Sequence, residues 1–265
     1  MNPSSRQRIL LTGAAGRISG GIVSDLQKDY DLVLTDAIVP EDRQDDMSQL
    51  DLLDFPAVRD AMKGVDQVIH LAIASGRALK HLPIHEYNDE QMRVNLIGTQ
   101  HVYAAAVQTG VKRVVYFSSM TVWMGIPEYD HVSLDTPLRP RGVYGCTKLF
   151  GEHMAEHYTR GNDISIICLR LGHPIPTPGC EYNSEYLRQY GDNGVMCDFE
   201  DIKQGVRCAL NAQDLKYYIF PLVSASQENR VELTAGIKVG YWPKKCFNSD
   251  GEVIDNPTPM PENIG

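Results

Sequence analysis

Residues Arg8-Ile-Leu-Leu-Thr12 form a short apolar run that passes without a break into Gly13-Ala-Ala-Gly16-Arg-Ile-Ser19-Gly20, and from there into a helical pattern, Ile22 to Leu26. A buried strand, a glycine turn and a helix in immediate succession admit few folds. Glycine lets a ligand approach the backbone closely, and the start of the following helix offers free N–H groups and a partial positive charge. That combination suits a pyrophosphate, although an ordinary strand-to-helix turn would use the same glycines. The second apolar run, Leu32-Val-Leu-Thr35, ends at Asp36, 23 residues after Gly13. An acidic residue at that distance accepts hydrogen bonds from adenosine ribose hydroxyls and repels a 2′-phosphate, so NAD is favoured over NADP. Arg17 and Arg43 argue the other way, but neither follows the second strand as directly.

Strands and helices alternate along the rest of the chain. Candidate strands are 8–12, 31–35, 67–72, 113–118, 164–169 and 217–222, with a weaker one near 48–51. Helical patterns cover 20–28, 55–63, 88–109, 143–160 and 199–212. The fold class is therefore α/β, a Rossmann-type doubly wound parallel sheet covered on both faces. Segments 172–198 and 223–265 break the alternation, with Pro174, Pro176, Pro178 and Gly179 in the first and Pro257, Pro259 and Pro261 in the second.

Composition narrows the partners. With 25 basic and 34 acidic residues the net charge is −9, which disfavours nucleic acid and anionic membranes. No apolar run approaches the roughly 20 residues of a membrane span, and the start, Met-Asn-Pro-Ser-Ser-Arg, lacks the apolar stretch of a signal peptide. The six cysteines (146, 168, 180, 197, 208 and 246) suggest neither a disulfide framework nor zinc. Pro83 between His81 and His85 argues against a helical histidine pair, so no metal is expected. A reduced, cytoplasmic location is the simplest expectation.

Chemistry enters at Tyr144-Gly-Cys-Thr-Lys148, 25 residues after Ser119. Tyr-x-x-x-Lys on a helix places the phenol and the ammonium on one face. Free tyrosine, with a pKa of about 10, is a poor base at neutral pH. A neighbouring ammonium favours the phenolate and is expected to lower that value. An activated tyrosine beside a nicotinamide is the base required when an alcohol carbon gives up hydride.

These residues together resemble the extended short-chain dehydrogenase/reductases, the NAD-dependent epimerase/dehydratase group. The landmarks are Thr12-Gly-Ala-Ala-Gly16, Asp36, Asp51-Leu52, His70-Leu-Ala72, Asn95, Ser118-Ser119, Tyr144-x-x-x-Lys148 and Leu169-Arg170-Leu171, in order between residues 8 and 222. Brevity and the segment Gly172-His-Pro-Ile-Pro-Thr-Pro178 look most like the uronate dehydrogenases. The resemblance implies an NAD-binding domain of residues 1–170 and 199–222, and a small substrate lobe of 171–198 and 223–265. It places Gly13, Ala15, Gly16, Arg17, Ile18, Asp36, Asp51, Leu52, Leu71, Ala72, Ala74 and Asn95 along the cofactor, with Tyr144 and Lys148. Ser75, Arg77, Met120, Thr121, His173 and Arg188 fall toward the substrate. Ser19 stands where the family carries a third glycine for close helix–strand packing, so a small shift is expected there.

Some landmarks have a second reading. Asp51 either receives the adenine amino group or belongs to a helix start, since Asp54-Phe-Pro follows. Asn95 either holds a water near the lysine, as in the family, or satisfies polar groups in the core. Ser118 competes with Ser119, but the family's hydroxyl precedes a x-x-Val-aromatic stretch and Ser119 precedes Met120-Thr-Val-Trp123. Its expected task is to hydrogen-bond the substrate oxygen.

The implied activity is oxidation of a hydroxyl on a small sugar or sugar acid, with Tyr144, Lys148 and Ser119 as catalytic residues. A nucleotide-sugar epimerase is the alternative, but only 95 residues follow Arg170 to build a nucleotide pocket. A 4,6-dehydratase would carry Asp-Glu where Met120 and Thr121 stand. Against a uronate, the family's Asn-His after the serines is absent and its carboxylate-binding arginine falls near Tyr182, leaving Arg188 or Arg77 as substitutes. A non-catalytic NAD(P)-sensing regulator would typically have lost the tyrosine or the lysine. Apolar residues around helix 88–109 (Met92, Val94, Leu96, Ile97, Val102, Tyr103, Val107) and on helix 143–160 (Val143, Leu149, Phe150, Met154) exceed one core-facing stripe. In the family these two helices meet their symmetry mates, so a homodimer is expected.

Overall fold

A computed structural model describes residues 6–74, 79–125, 131–175, 195–227, 230–248, 250 and 252–261. Its centre is a seven-stranded sheet in the order β3-β2-β1-β4-β5-β6-β9. The strands are β1 (Arg8–Thr12), β2 (Asp31–Asp36), β3 (Ser48–Gln49), β4 (Gln67–His70), β5 (Arg113–Ser119), β6 (Ser165–Leu171) and β9 (Tyr217–Leu222). Every pairing in it is parallel. Such a sheet is buried on both faces, which is why β4 buries all four of its residues and why Val114 to Ser119 are buried in succession. The chain grows outward from β1 to β3, returns to β4 on the other side of β1, and grows outward again. That reversal opens a crevice beyond the carboxyl ends of β1 and β4.

Helices cover both faces. On one side α1 (Arg17–Leu26) and α6 (Phe199–Asn211) bury Ile22, Leu26, Ile202 and Val206 against β1 and β6. On the other, α2 (Phe55–Ala61), α4 (Thr99–Thr109) and α5 (Gly142–Gly161) bury Val58, Val102, Tyr103 and Ala155. Local chemistry sets the helix starts. Asp54 Oδ1 accepts the Ala57 N–H at 3.1 Å and Asp198 Oδ1 accepts the Glu200 N–H at 2.8 Å, two side-chain caps at N-termini. Gly110, at φ 80°, closes α4 in the left-handed conformation.

The single helix expected over 88–109 is three pieces. α3 (Ile84–Met92) begins earlier, right after Pro83, and a π-helical stretch, Arg93–Gly98, joins it to α4. The apolar pattern starts at Met92 and continues through Arg93–Gly98 into α4, so periodicity alone does not reveal the wider turn. That turn carries Asn95.

Smaller elements follow the sheet. β7 (His173–Pro174) pairs with β8 (Met196–Cys197), and β10 (Ala225–Ser226), β11 (Lys245–Phe247) and β12 (Val253–Asp255) form a three-stranded sheet, with α7 (Thr234–Ile237) between β10 and β11. Buried Asp201 on α6 anchors this region: its carboxylate accepts the Lys244 N–H at 2.6 Å, the Lys245 N–H at 3.3 Å and the Ser224 hydroxyl. Burial pushes the Asp201 pKa up to about 6 against those hydrogen bonds.

How close α5 lies to the sheet depends on Gly151. A Cβ there would come within 2.2 Å of the hydroxyl of the fully buried Tyr116 on β5. Gly151→Ala should therefore destabilise the fold by about 1–3 kcal/mol through overpacking. Thermal denaturation measures this, and Tyr116→Phe in the same chain should recover part of the loss. An unchanged midpoint in Gly151→Ala would show that α5 packs less tightly than described.

Candidate functional site

The glycine turn after β1 is built for close approach. Gly13 sits at φ +79°, and a Cβ on it would meet the Ala72 backbone nitrogen at 2.7 Å, so the turn passes against the chain leaving β4. Gly16 opens α1 without a side-chain cap, which leaves the first amides of that helix to a ligand. Asp36, half-buried at the end of β2, lies beside the same turn. One of its carboxylate oxygens accepts the Ala15 N–H at 3.0 Å and the other the Ile38 N–H at 3.2 Å. Glycine backbone, open helix start and adjacent carboxylate fit the pyrophosphate and ribose of NAD.

Ser19, standing in the place of a third glycine, is buried, and its hydroxyl donates to the Gly13 carbonyl at 2.7 Å. Serine thus ties the turn together. Close packing of α1 falls instead to Gly21, where a Cβ would meet the Phe199 ring at 2.1 Å.

A cleft of about 360 Å³ extends from this turn over the ends of β5 and β6. Ile18, Leu71, Ser119, Met120, Thr121, Tyr144, Lys148 and His173 all line it. Ser119 Oγ accepts the Thr121 N–H at 3.2 Å, and its side chain lies near the Tyr144 phenol, where it favours the phenolate. Its competitor faces the other way: Ser118 donates to Glu152 Oε1 at 2.6 Å, inside the core. Alternation along a strand separates the two hydroxyls, and only Ser119 meets the phenol.

The tyrosine and the lysine depart from expectation. Burial drives the Tyr144 pKa up to about 12, opposed by the bond to Ser119. Lys148 does not lower it, for a reason found in the lysine itself. Its ammonium is buried, donates to the Phe117 carbonyl at 2.7 Å, and lies 5.0 Å and 5.7 Å from the ring centres of Tyr116 and Tyr144. Burial brings its pKa down to about 7, with Cys168 and Glu152 pulling the other way. A cation half discharged near neutral pH supplies little field.

The remaining expected residues divide. Asn95 is buried; its side-chain oxygen accepts the Ala74 N–H at 2.8 Å and its amide donates to Thr147 Oγ1 at 3.1 Å. It ties the chain after β4 to α5 next to Lys148. Asp51 is exposed and accepts the Leu53 N–H at 2.9 Å, while Leu52 is buried against Gly98, so neither reaches the cleft. Arg17 donates to the Pro174 carbonyl, linking the glycine turn to β7. Burial, aided by Arg17, lowers the His173 pKa. Ser75, Arg77, Tyr182 and Arg188 lie outside the described residues.

Two groups behind the cleft make contacts that the sequence did not reveal. His70, with its pKa brought down to about 3 chiefly by burial, bridges Thr12 at 2.8 Å and Thr99 at 3.0 Å. Glu152 receives Ser118 and also Arg170, at 2.9 Å and 2.8 Å. Its spacing was the available signal, since residue 152 follows Lys148 by one helical turn on the same face. Among the described residues no group of histidine, cysteine or acidic side chains could hold a metal ion, and no helix is long and apolar enough to cross a membrane.

The model of the NAD-dependent epimerase/dehydratase family matches residues 9–184. The chain is 27% identical over 259 residues to a uronate dehydrogenase of Pseudomonas syringae pv. tomato, spanning 96% of this chain and 87% of that one. It is 30% identical over 258 residues to an NAD-dependent glucose-6-phosphate dehydrogenase of Haloferax volcanii, spanning 86% of this chain and 96% of the relative. The crystal structure of a glucuronic acid dehydrogenase from Chromohalobacter salexigens superposes with a TM-score of 0.75 at 26% identity, covering 89% of this chain and 84% of that one.

The lowered Lys148 pKa has a consequence for stability. An unfolded lysine titrates near 10.5 and the folded one at about 7, so the native state binds fewer protons between those values. Stability should therefore rise as pH increases from 7 to 9, by at most about 1.4 kcal/mol per unit from this group. Urea unfolding at the two pH values measures it, and Lys148→Met should flatten the rise. A wild-type stability that falls over this range would contradict the buried, partly discharged lysine.

Proposed function

The chain belongs to the NAD-dependent epimerase/dehydratase family, and from that premise we propose that it is a dehydrogenase oxidising a hydroxyl of a small sugar or sugar acid. The observation that carries this reading is the convergence of Ser119, Tyr144 and Lys148 on one cleft beside the glycine turn. The relatives named above are dehydrogenases of a uronate, of glucuronic acid and of glucose 6-phosphate, sugars without a nucleotide, and the chain spans most of each.

In this reading Gly13, Ala15, Gly16, Arg17 and Ile18 hold the pyrophosphate and Asp36 the adenosine ribose. Leu71, Ala72, Ala74 and Asn95 complete the cofactor side near the cleft, while Asp51 and Leu52 are assigned from the sequence to the adenine end, away from it. When bound, NAD supplies the hydride acceptor and, through the positive charge of its nicotinamide, favours the phenolate. Tyr144 takes the proton of the substrate hydroxyl as general base. Ser119 holds the phenol oxygen in place and hydrogen-bonds the substrate oxygen as it becomes a carbonyl. Lys148, fixed by the Phe117 carbonyl one turn from the phenol, is placed to hydrogen-bond the nicotinamide ribose. Met120, Thr121 and His173 form the cleft's substrate wall, with Ser75, Arg77 and Arg188 assigned to it from the sequence.

Residues 1–170 with 199–222 form the NAD-binding domain in this account, and 171–198 with 223–265 the substrate lobe. Cytoplasmic residence belongs to the same proposal and is supported by five free cysteines among the described residues. A homodimer fits the surface: Met92 and Ile97 are 47% and 48% exposed, and Val143, Leu149, Phe150 and Met154 on α5 are half-buried.

Free hexoses, uronic acids, sugar phosphates and nucleotide sugars, assayed by NADH absorbance, test the function. Net NADH with a free sugar or sugar acid is expected, and Tyr144→Phe should lose activity by at least about 100-fold while still binding NAD. Activity of that variant within tenfold of wild type would refute the mechanism. Sedimentation at micromolar concentration should give a dimer; a monomer would remove the interface.

A further inference from the structure

Behind the cleft lies a charge pair that the hydride-transfer mechanism does not use. Glu152 on α5 and Arg170 on β6 are joined by two hydrogen bonds, Arg170 Nε to Oε1 at 2.9 Å and Nη2 to Oε2 at 2.8 Å. Their side chains are only 2% and 4% exposed. Ions so deeply buried rarely add stability, because desolvation offsets their attraction, so a well-packed apolar pair would hold the fold as well.

What the pair touches explains its presence. Glu152 Oε1 also accepts the Ser118 hydroxyl at 2.6 Å, which fixes the strand end one residue before Ser119. The Arg170 guanidinium lies 4.3 Å from the ring centre of Trp123, which ends the short turn that follows Ser119. Trp123 in turn donates to the Thr136 carbonyl at 3.2 Å. Glu152 itself stands one helical turn beyond Lys148 and two beyond Tyr144. A single carboxylate–guanidinium fork therefore grips the chain on both sides of Ser119 and sets the rotation of the helix that carries the other two residues.

We infer that Glu152 and Arg170 are positioning residues for the reacting centre, holding Ser119, Tyr144 and Lys148 in register across β5, α5 and β6. This inference rests on the Tyr144, Lys148 and Ser119 reading of the site. The planar fork matters because it fixes both distance and angle. Glu152 has a second effect, since its charge favours the protonated form of Lys148. The other titratable groups near that ammonium are Tyr144 on its own helix, His70 on β4, Tyr116 on β5 and Cys168 on β6. Burial raises the Cys168 thiol pKa and keeps it neutral, so Glu152 supplies the fixed negative charge near the ammonium.

The test compares Glu152→Gln, the double variant Glu152→Met with Arg170→Leu, and Tyr144→Phe, all as full-length protein. Each is followed by thermal melting, by NAD binding in calorimetry, and by kcat, KM and the pH profile on the best sugar substrate. Glu152→Gln should lower kcat about 100-fold, as expected for a misplacement near 1 Å, with a smaller change in KM. Its profile should lose activity at lower pH on the alkaline side, because Lys148 gives up its proton sooner. The double variant leaves no uncompensated charge, so its melting point should stay near wild type while kcat remains low. Wild-type kcat in a folded double variant would overturn the inference and leave the pair a packing element. So would failure of both Glu152 variants to fold, which would assign the pair to folding alone. An active Tyr144→Phe would instead refute the mechanism on which the inference rests.

Discussion

The hydrogen bond from the Lys148 ammonium to the Phe117 carbonyl, at 2.7 Å, is the constraint on which the site depends. It crosses from α5 to β5 just where that strand runs into Ser119. To make it, α5 must lie almost on the sheet, which requires Gly151 against Tyr116. To keep it in register, the strand end must be held, which Ser118 does through Glu152. The same closeness strips water from the lysine and the tyrosine. Both pay in protonation free energy, with Tyr144 raised to about 12 and Lys148 lowered to about 7. With these values Tyr144 keeps its proton at neutral pH, while Lys148 is close to half discharged.

Much of this was legible in the sequence because it is written in local spacing. The strand, glycine turn and helix of residues 8–26, the acidic end of β2, and the four-residue interval from Tyr144 to Lys148 are all short-range patterns. Each is set by backbone geometry that one segment dictates by itself. The parallel sheet followed from uninterrupted apolar strands, since only burial on both faces explains them.

The rest was illegible because it depends on which distant groups meet. Whether Lys148 lowers or fails to lower the tyrosine pKa is decided by burial, and burial is a property of the packed fold. Ser19 looked like a small defect in a glycine motif, but it donates to the Gly13 carbonyl, while Gly21 takes the close contact with Phe199. Asn95 gave no sign of the π-helical turn that aims it at Ala74 and Thr147. Ser118 and Ser119 are chemically identical; the stretch Met120 to Trp123 pointed to Ser119, and the bond of Ser118 to Glu152 shows the physical reason.

The central claim is that substrate hydride leaves with the cofactor as a released product. A sugar or sugar acid deuterated at the carbon to be oxidised, incubated with NAD and followed by mass spectrometry of both species, tests it most directly. The account predicts NADH carrying the deuterium, accumulating in proportion to oxidised sugar. Deuterium that stays in the sugar, with inverted configuration and no net NADH, would contradict it and make the protein an epimerase.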